Sequence, residues 1–229
     1  MFMRSTIAAL LLSVPIGLHA GELLDRIVAT VNTEVILQSD WDDEVRFEAL
    51  MSSRKSEEAT VEERKAALDR LIDQDLLREQ MRMTDLKPAG AEAIKKQVDG
   101  IRNDQLREHP GQSWAMTLSE YHLTDRVVEC HVAAELEQLQ LVDMRFRPSI
   151  QISSPEIAKY YREQIVPKLP ASDPLRLDDA APKIKEILIQ EKINQLLNSW
   201  LQTLRSQAQI RILSPEAAPD SPSSLGGTR

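Results

Sequence analysis

Ile27-Val28-Ala29-Thr30-Val31-Asn32-Thr33-Glu34-Val35-Ile36-Leu37 is the stretch on which the fold turns. It is rich in β-branched residues, which suit a pleated backbone, and it carries a turn signal at Asn32-Thr33. It predicts two short strands joined by a tight hairpin. A lone hairpin is marginal in water and leaves unpaired backbone groups along its edges. The far end of the chain offers a partner: Gln209-Ile210-Arg211-Ile212-Leu213 alternates apolar and polar residues and reads as a strand. That strand is expected to pair with the N-terminal hairpin and close the two ends into one domain.

Between these ends the patterning is helical. Ser39 reads as an N-cap with acids behind it, and Trp41, Val45 and Ala49 recur at helical spacing to about Met51. Residues 52–59 are polar and read as a loop. Thr60-Val61-Glu62-Glu63 is a capping-box pattern opening a helix to about Arg82, with Leu68, Leu71, Ile72, Asp75, Leu76 and Glu79 along one stripe. Pro88 is expected to open the next helix from its first turn, with Ile94, Val98 and Ile101 as a narrow apolar stripe. His109-Pro110-Gly111 ends it, and Ser113 caps a short helix bearing Trp114, Leu118 and Tyr121. Thr124 or Asp125 caps a long helix to about Arg145, made by Val127, Val128, His131, Val132, Leu136, Leu139 and Val142.

Ile150 and Ile152 suggest a brief extended piece. Ser154-Pro155-Glu156 reads as a cap followed by proline, with Ile157, Tyr160, Tyr161 and Ile165 on the helix that follows. Pro167–Leu177 is a linker of eleven residues with three prolines. Asp178 is expected to cap a final helix of about 28 residues, on the order of 40 Å long. The fold class is therefore mainly α, a multi-helix body with a small antiparallel β-ribbon. Residues 21–213 form one domain, made of an N-terminal part 21–166, the linker 167–177, and a C-terminal helix and strand 178–213. Residues 214–229, rich in Pro, Ser, Ala and Gly, read as a disordered tail.

Composition excludes several function classes. The 229 residues include only 7 Gly, which argues against a hairpin-rich β protein and against a glycine-lined phosphate site. A net charge of −8 argues against nucleic-acid binding, which needs a basic surface. A single cysteine, Cys130, rules out an intramolecular disulfide and a thiolate-rich metal site.

The first twenty residues read as an address. One positive charge at Arg4 precedes the apolar run Ile7–Ile16, and Leu18-His19-Ala20 ends in a small residue. That is the layout of a secretory signal peptide, cleaved after Ala20, and the apolar run is too short to span a bilayer. The expected location is the periplasm, without stable membrane insertion.

Asp25-Arg26-Ile27-Val28-Ala29-Thr30-Val31-Asn32-Thr33-Glu34-Val35-Ile36-Leu37-Gln38-Ser39-Asp40 resembles the opening of the SurA-like periplasmic chaperone family, in which a V-A-x-V-N-x-x-x-I/V-x-x-S-D stretch follows the signal peptide. The order of elements is similar too. The Val61–Leu77 helix resembles that family's L-I-x-x-x-L-L/I helix, and Ser154-Pro155-Glu156-Ile157 its P-x-E-I/V segment. Trp200-Leu201 through Ile210-Arg211-Ile212 resembles its W-L-x-x-L-R-x-x-A-x-I-x-I ending. The likeness covers roughly 23–166 and 178–213.

In that family one or two parvulin-type prolyl isomerase domains usually sit between the two halves. Here that place holds only Pro167–Leu177, and a catalytic domain needs on the order of 50 residues. Outside the tail and the leader, Gly21, Gly90, Gly100 and Gly111 stand isolated, so the family's G-G-D-L-G-type segment has no counterpart. The resemblance implies an ATP-independent holdase for unfolded polypeptides, outer-membrane proteins above all, with no isomerase activity and no cofactor.

Other chemistry reads weakly. His122, Cys130 and His131 are the best metal candidates, but adjacent Cys130 and His131 diverge by about 100° on a helix. Asp40, Asp42, Asp43 and Glu44 read as acids favouring a helix N-terminus rather than as a catalytic cluster. Flexible thioethers and aromatic rings suit surfaces that accept many partners, so Met81, Met83, Leu86, Trp114, Met116 and Met144 are the candidate client-binding residues. Two other readings stand beside the holdase. A remnant prolyl isomerase would turn over a proline peptide. A single-partner envelope adaptor or scaffold would capture one stoichiometric partner. A homodimer by exchange of the C-terminal helix is a further expectation.

Overall fold

The computed structural model describes residues 25–168 and 176–214. The expected signal peptide, most of the expected linker and all but the first residue of the expected tail lie outside them. The described residues are mainly helical, with seven α-helices and one three-stranded antiparallel sheet.

Strands β1 (Ile27–Val31) and β2 (Glu34–Leu37) form the hairpin, with Val31 opposite Glu34 and Thr30 opposite Val35. The register slips between Ile27 and Ala29, a bulge at Val28. The third strand, β3 (Ile210–Ile212), pairs antiparallel with β1, Thr30 opposite Arg211, so the order is β2-β1-β3. The chain ends therefore meet as the alternation of residues 209–213 predicts.

Asn32 fastens this junction. It holds a left-handed φ of 53°, which Asn tolerates better than most residues. Its backbone N–H donates to the Gln209 carbonyl at 2.9 Å, and its Oδ1 accepts the Gln209 N–H at 2.9 Å. Its Nδ2 donates to Glu79 Oε2 at 2.7 Å. Beyond β3, the Val28 carbonyl accepts N–H groups from Leu213 at 2.8 Å and from Ser214 at 3.2 Å. Ser214, the first residue of the expected tail, is buried here.

Helix α1 (Gln38–Met51) begins two residues earlier than expected, because the Asp40 carboxylate accepts the Leu37 N–H at 2.9 Å and Ser39 turns to Asp25 instead. Helix α2 (Val61–Arg82) carries the predicted capping box at Thr60 and Glu63. Helix α3 (Ala91–Glu108) is capped at Gly90 and does not open at Pro88. The segment leading into it is held elsewhere, since Ala89 N–H donates to Glu137 Oε1 at 3.0 Å. Helix α4 (Trp114–Glu120) is capped by Ser113, and α5 (Asp125–Phe146) by Thr124.

Among the described residues, Ile150 and Ile152 pair with no strand. Helix α6 (Ser154–Tyr160) is capped at Ser153, one residue before the expected position, because the Glu156 carboxylate reaches back to the Ser153 N–H at 2.8 Å. A five-residue π-turn, Tyr161–Ile165, follows. Helix α7 (Leu177–Gln207) has 31 residues, ~46 Å. Asp178 lies in its first turn rather than at its cap, where its charge favours the helix dipole.

Two apolar cores share α1 and α5. The first joins Val28, Val31 and Ile36 of the sheet to Trp41 and Val45 of α1, Leu68, Ile72 and Leu76 of α2, Leu141 of α5 and Leu204 of α7. The second joins Ala49 and Leu50 to Val98 and Ile101 of α3, Leu118, Tyr121 and Leu123 around α4, and Val128 and Val132 of α5. Because α5 serves both, its buried side changes along its length. Val128 and Val132 face the second core and Leu141 the first, so Leu139, placed in the stripe by its spacing, is exposed instead.

The C-terminal helix is clasped to the body by charges. Arg205 reaches Asp73 at 2.6 Å and Asp69 at 3.1 Å on α2. Arg147 holds Glu186 at 2.9 Å, and Lys192 holds Glu156 at 2.8 Å. The Lys192 bond, with help from Ser153, holds the Glu156 carboxyl down at about 2. The Glu156 carboxylate therefore keeps its charge well into the acid range and loses it only as the pH falls through that value.

Candidate functional site

The six candidate client-binding residues fall on three elements. Met81 and Leu86, at the end of α2 and just beyond, are half-buried against the first core. Met83, between them, is 71% exposed. On α4, Met116 is 59% exposed, whereas Trp114 packs against the second core. The Trp114 indole N–H donates to Asp125 Oδ1 at 2.7 Å, and the Arg102 guanidinium lies 5.6 Å from the centre of the ring. Met144, near the end of α5, is 51% exposed. Met51, at the end of α1, and Leu139 of α5 are exposed to a similar degree. The set therefore divides into solvent-facing thioethers, available for contact, and half-buried side chains that hold the cores together.

Two concave features lie among the helices. A cleft of about 330 Å³ opens between β2, α1, α2 and α5, with apolar walls from Val35, Ile36, Leu71, Val127 and Ala134. Its polar residues include Asp40, Asp43, Asp75, Arg78, Cys130 and His131. Each carboxylate already has a partner: Asp40 caps α1, Asp43 pairs with Arg46 at 3.0 Å, and Asp75 accepts from Arg78. His131 stacks on Phe47, ring centres 4.5 Å apart, and turns Nδ1 toward Glu44 Oε2 at 3.3 Å. Glu44 is buried between α1, α2 and α5 and is not the solvated helix-start acid that its place after Asp42 and Asp43 suggests. Cys130 is exposed, and His131 points at a carboxylate, so the two do not make a nucleophile–base pair. Among the described residues no three His, Cys, Asp or Glu side chains converge on a metal position.

Asp75 is the costly member of this cleft. Its side chain is 9% exposed, and burial raises its carboxyl above the usual range. Arg78 offsets part of the rise, and the charges of Glu34 and Asp40 add to it. A carboxyl raised in the folded state contributes stability at low pH that is lost as the pH climbs through the folded value. Asp75→Asn is therefore expected to melt at a higher temperature than the parent at pH 7.5, with the gap closing toward pH 4. Thermal melts across that range check it; a variant that melts lower at pH 7.5 would mean that the Arg78 pair outweighs the burial.

The second feature is a groove of about 470 Å³ along α3, lined by Gln97, Gly100, Ile101, Gln105 and neighbouring charged residues, with Met51 from α1. Gln105 was not among the candidates, although its position was readable. Ile94, Val98, Ile101 and Gln105 follow one another at helical spacing, so a polar residue completes an otherwise apolar stripe. In the structure it is 4% exposed, and its Nε2 donates to the Leu50 carbonyl at 2.7 Å and to Ser53 Oγ at 3.1 Å. Its Oε1 is buried and accepts no hydrogen bond.

Compared with known proteins, the chain matches no family model and none of the curated proteins. The likeness to SurA-like chaperones rests on the residues quoted above.

Proposed function

We propose that this chain is an ATP-independent periplasmic holdase that binds unfolded polypeptides, outer-membrane proteins foremost, and has no prolyl isomerase activity. The observation that carries the reading is the exposure of Met51, Met116 and Met144 on helices, and of Met83 just beyond the end of α2, around cores that are packed. An unbranched thioether adapts its shape to whatever apolar side chain meets it, so such contacts are weak, unselective and exchangeable. Binding the unfolded state in preference to the folded one delays aggregation without energy input. A net charge of −8 keeps the holder itself soluble while these side chains face water. The SurA-like opening, the order of helices and the closing helix–strand pair support the same reading. Its test is suppression of aggregation of a denatured outer-membrane protein by the chain from Gly21 onward, in buffer without nucleotide.

A further inference from the structure

Strand β3 lies at the edge of the sheet, with β1 on one side and, among the described residues, no strand on the other. The bonds at its two ends fix which way its backbone groups point. Asn32 N–H donates to the Gln209 carbonyl, Leu213 N–H donates to the Val28 carbonyl, and Thr30 lies opposite Arg211 midway between them. In an antiparallel ladder such bonded pairs alternate with pairs that turn their backbone groups away. Gln209, Arg211 and Leu213 therefore bond toward β1, and the N–H and C=O groups of Ile210 and Ile212 point out from the free edge. Among the described residues no helix packs along that edge, and none of these four groups has a hydrogen-bond partner.

The side chains of β3 narrow the choice of occupant. Ile210 and Ile212 pack against the first core but are only half-buried, because the sheet stops beside them. Arg211 and Leu213 alternate onto the opposite face and are exposed, Leu213 to 55%. Arg211 makes no ion pair among the described residues. A second copy added edge to edge, in the register that uses all four free groups, would set Arg211 against Arg211. That pair is one whose backbones turn away from each other, where facing side chains come closest and like charges repel. The edge is thus suited to an extended strand with apolar residues opposite Ile210 and Ile212 and an acid between them.

We infer that the free edge of β3 takes an extended segment of unfolded client as a fourth, antiparallel strand, bonded through the backbones of Ile210 and Ile212 and favouring an acidic residue opposite Arg211. Main-chain bonds of this kind bind without reading sequence, and the alternating side chains then supply the preference. Only an unfolded chain has such a backbone to offer, since a folded one has already paired its own. Strands of outer-membrane barrels alternate apolar and polar residues, which is the pattern this edge accepts. This inference rests on the holdase reading and gives it a location and a preferred client sequence.

The test follows the fluorescence anisotropy of a fluorescein-labelled peptide, Ser-Val-Ser-Val-Glu-Val-Ser-Val-Ser, titrated with the parent chain and with Arg211→Glu. N-methylation of the two Val residues beside the Glu removes the N–H groups that would bond to β3 and is expected to weaken binding about tenfold. N-methylation of the Glu and of the Ser two places on, whose N–H groups point away from β3, is expected to cost no more than about threefold. Arg211 is exposed, so Arg211→Glu is expected to melt within about 2 °C of the parent. It is expected to bind the Glu peptide about fivefold more weakly and to regain that loss with a peptide carrying Lys in place of Glu. Recovery by the opposite charge is an outcome that misfolding cannot produce. If neither the methylation phase nor the charge exchange matters while the parent suppresses aggregation, the edge is wrong and the holdase reading stands. If the parent neither binds the peptide nor suppresses aggregation, both fall. If the parent sediments as a dimer that the peptide dissociates, the occupant of the edge is a second copy, and the inference is overturned.

Discussion

Trp41→Ala is expected to cost about 4 kcal/mol, the largest loss from any single side chain in this fold. Trp41 is fully buried at the start of α1, in the core that joins the sheet to α2, α5 and α7. Its indole N–H donates to the Arg64 carbonyl at 2.7 Å, and the Arg64 guanidinium lies 4.7 Å from the ring centre. Arg64 in turn reaches Asp42 at 3.0 Å, so the ring is enclosed by one ion pair linking α1 and α2. Truncation removes the apolar contacts, leaves a cavity and strips the Arg64 carbonyl of its donor. A domain of this kind has on the order of 5–15 kcal/mol in total. Urea unfolding followed by circular dichroism at 222 nm checks the loss; a change under about 1 kcal/mol would mean that Trp41 is not central to the core.

Asn32→Ala is expected to cost about 2 kcal/mol although the residue sits at an exposed turn. Half of that comes from forcing alanine into the left-handed φ of 53° that Asn32 adopts. The other half comes from losing the side-chain bonds to Gln209 and Glu79, which tie the hairpin to β3 and to α2. The two contributions separate experimentally. Asn32→Gly restores the backbone freedom and recovers about half of the loss, whereas Asn32→Asp keeps the acceptor for Gln209 but sets a charge against Glu79. Equal unfolding midpoints for the parent and the alanine variant would mean that the chain ends do not depend on this junction.

The closure of the two ends was legible because period-two alternation is rare in so helical a chain. Residues 27–37 and 209–213 are its two longest extended stretches, Ile150 and Ile152 offering only a brief third, and unpaired strands must find each other. Helix positions were legible through their cap residues, Thr60, Ser113 and Thr124. The caps at Ser39, Ser154 and Asp178 were each misplaced by one or two residues. At the first two of these sites a neighbouring carboxylate, Asp40 or Glu156, reached the backbone first, and a single sequence does not say which of several cap-forming side chains wins. Leu139 was misread because helical spacing assumes one buried side per helix, and α5 has two. The candidate site was legible in part. Methionine is a residue type that can serve an adaptable surface, yet whether Met81 or Met83 faces water depends on the helix end. Gln105 was visible only as a polar residue in an apolar stripe, and its free oxygen is a property of geometry alone.

The most direct test of the account is light scattering from a urea-denatured outer-membrane protein diluted into buffer without nucleotide, with and without the chain from Gly21 onward. The account predicts that scattering falls progressively as the chain is added, approaches baseline at a few-fold molar excess, and loses this protection when Met83, Met116 and Met144 are together replaced by Gln. Scattering that is unchanged at tenfold excess of a folded parent chain would contradict it.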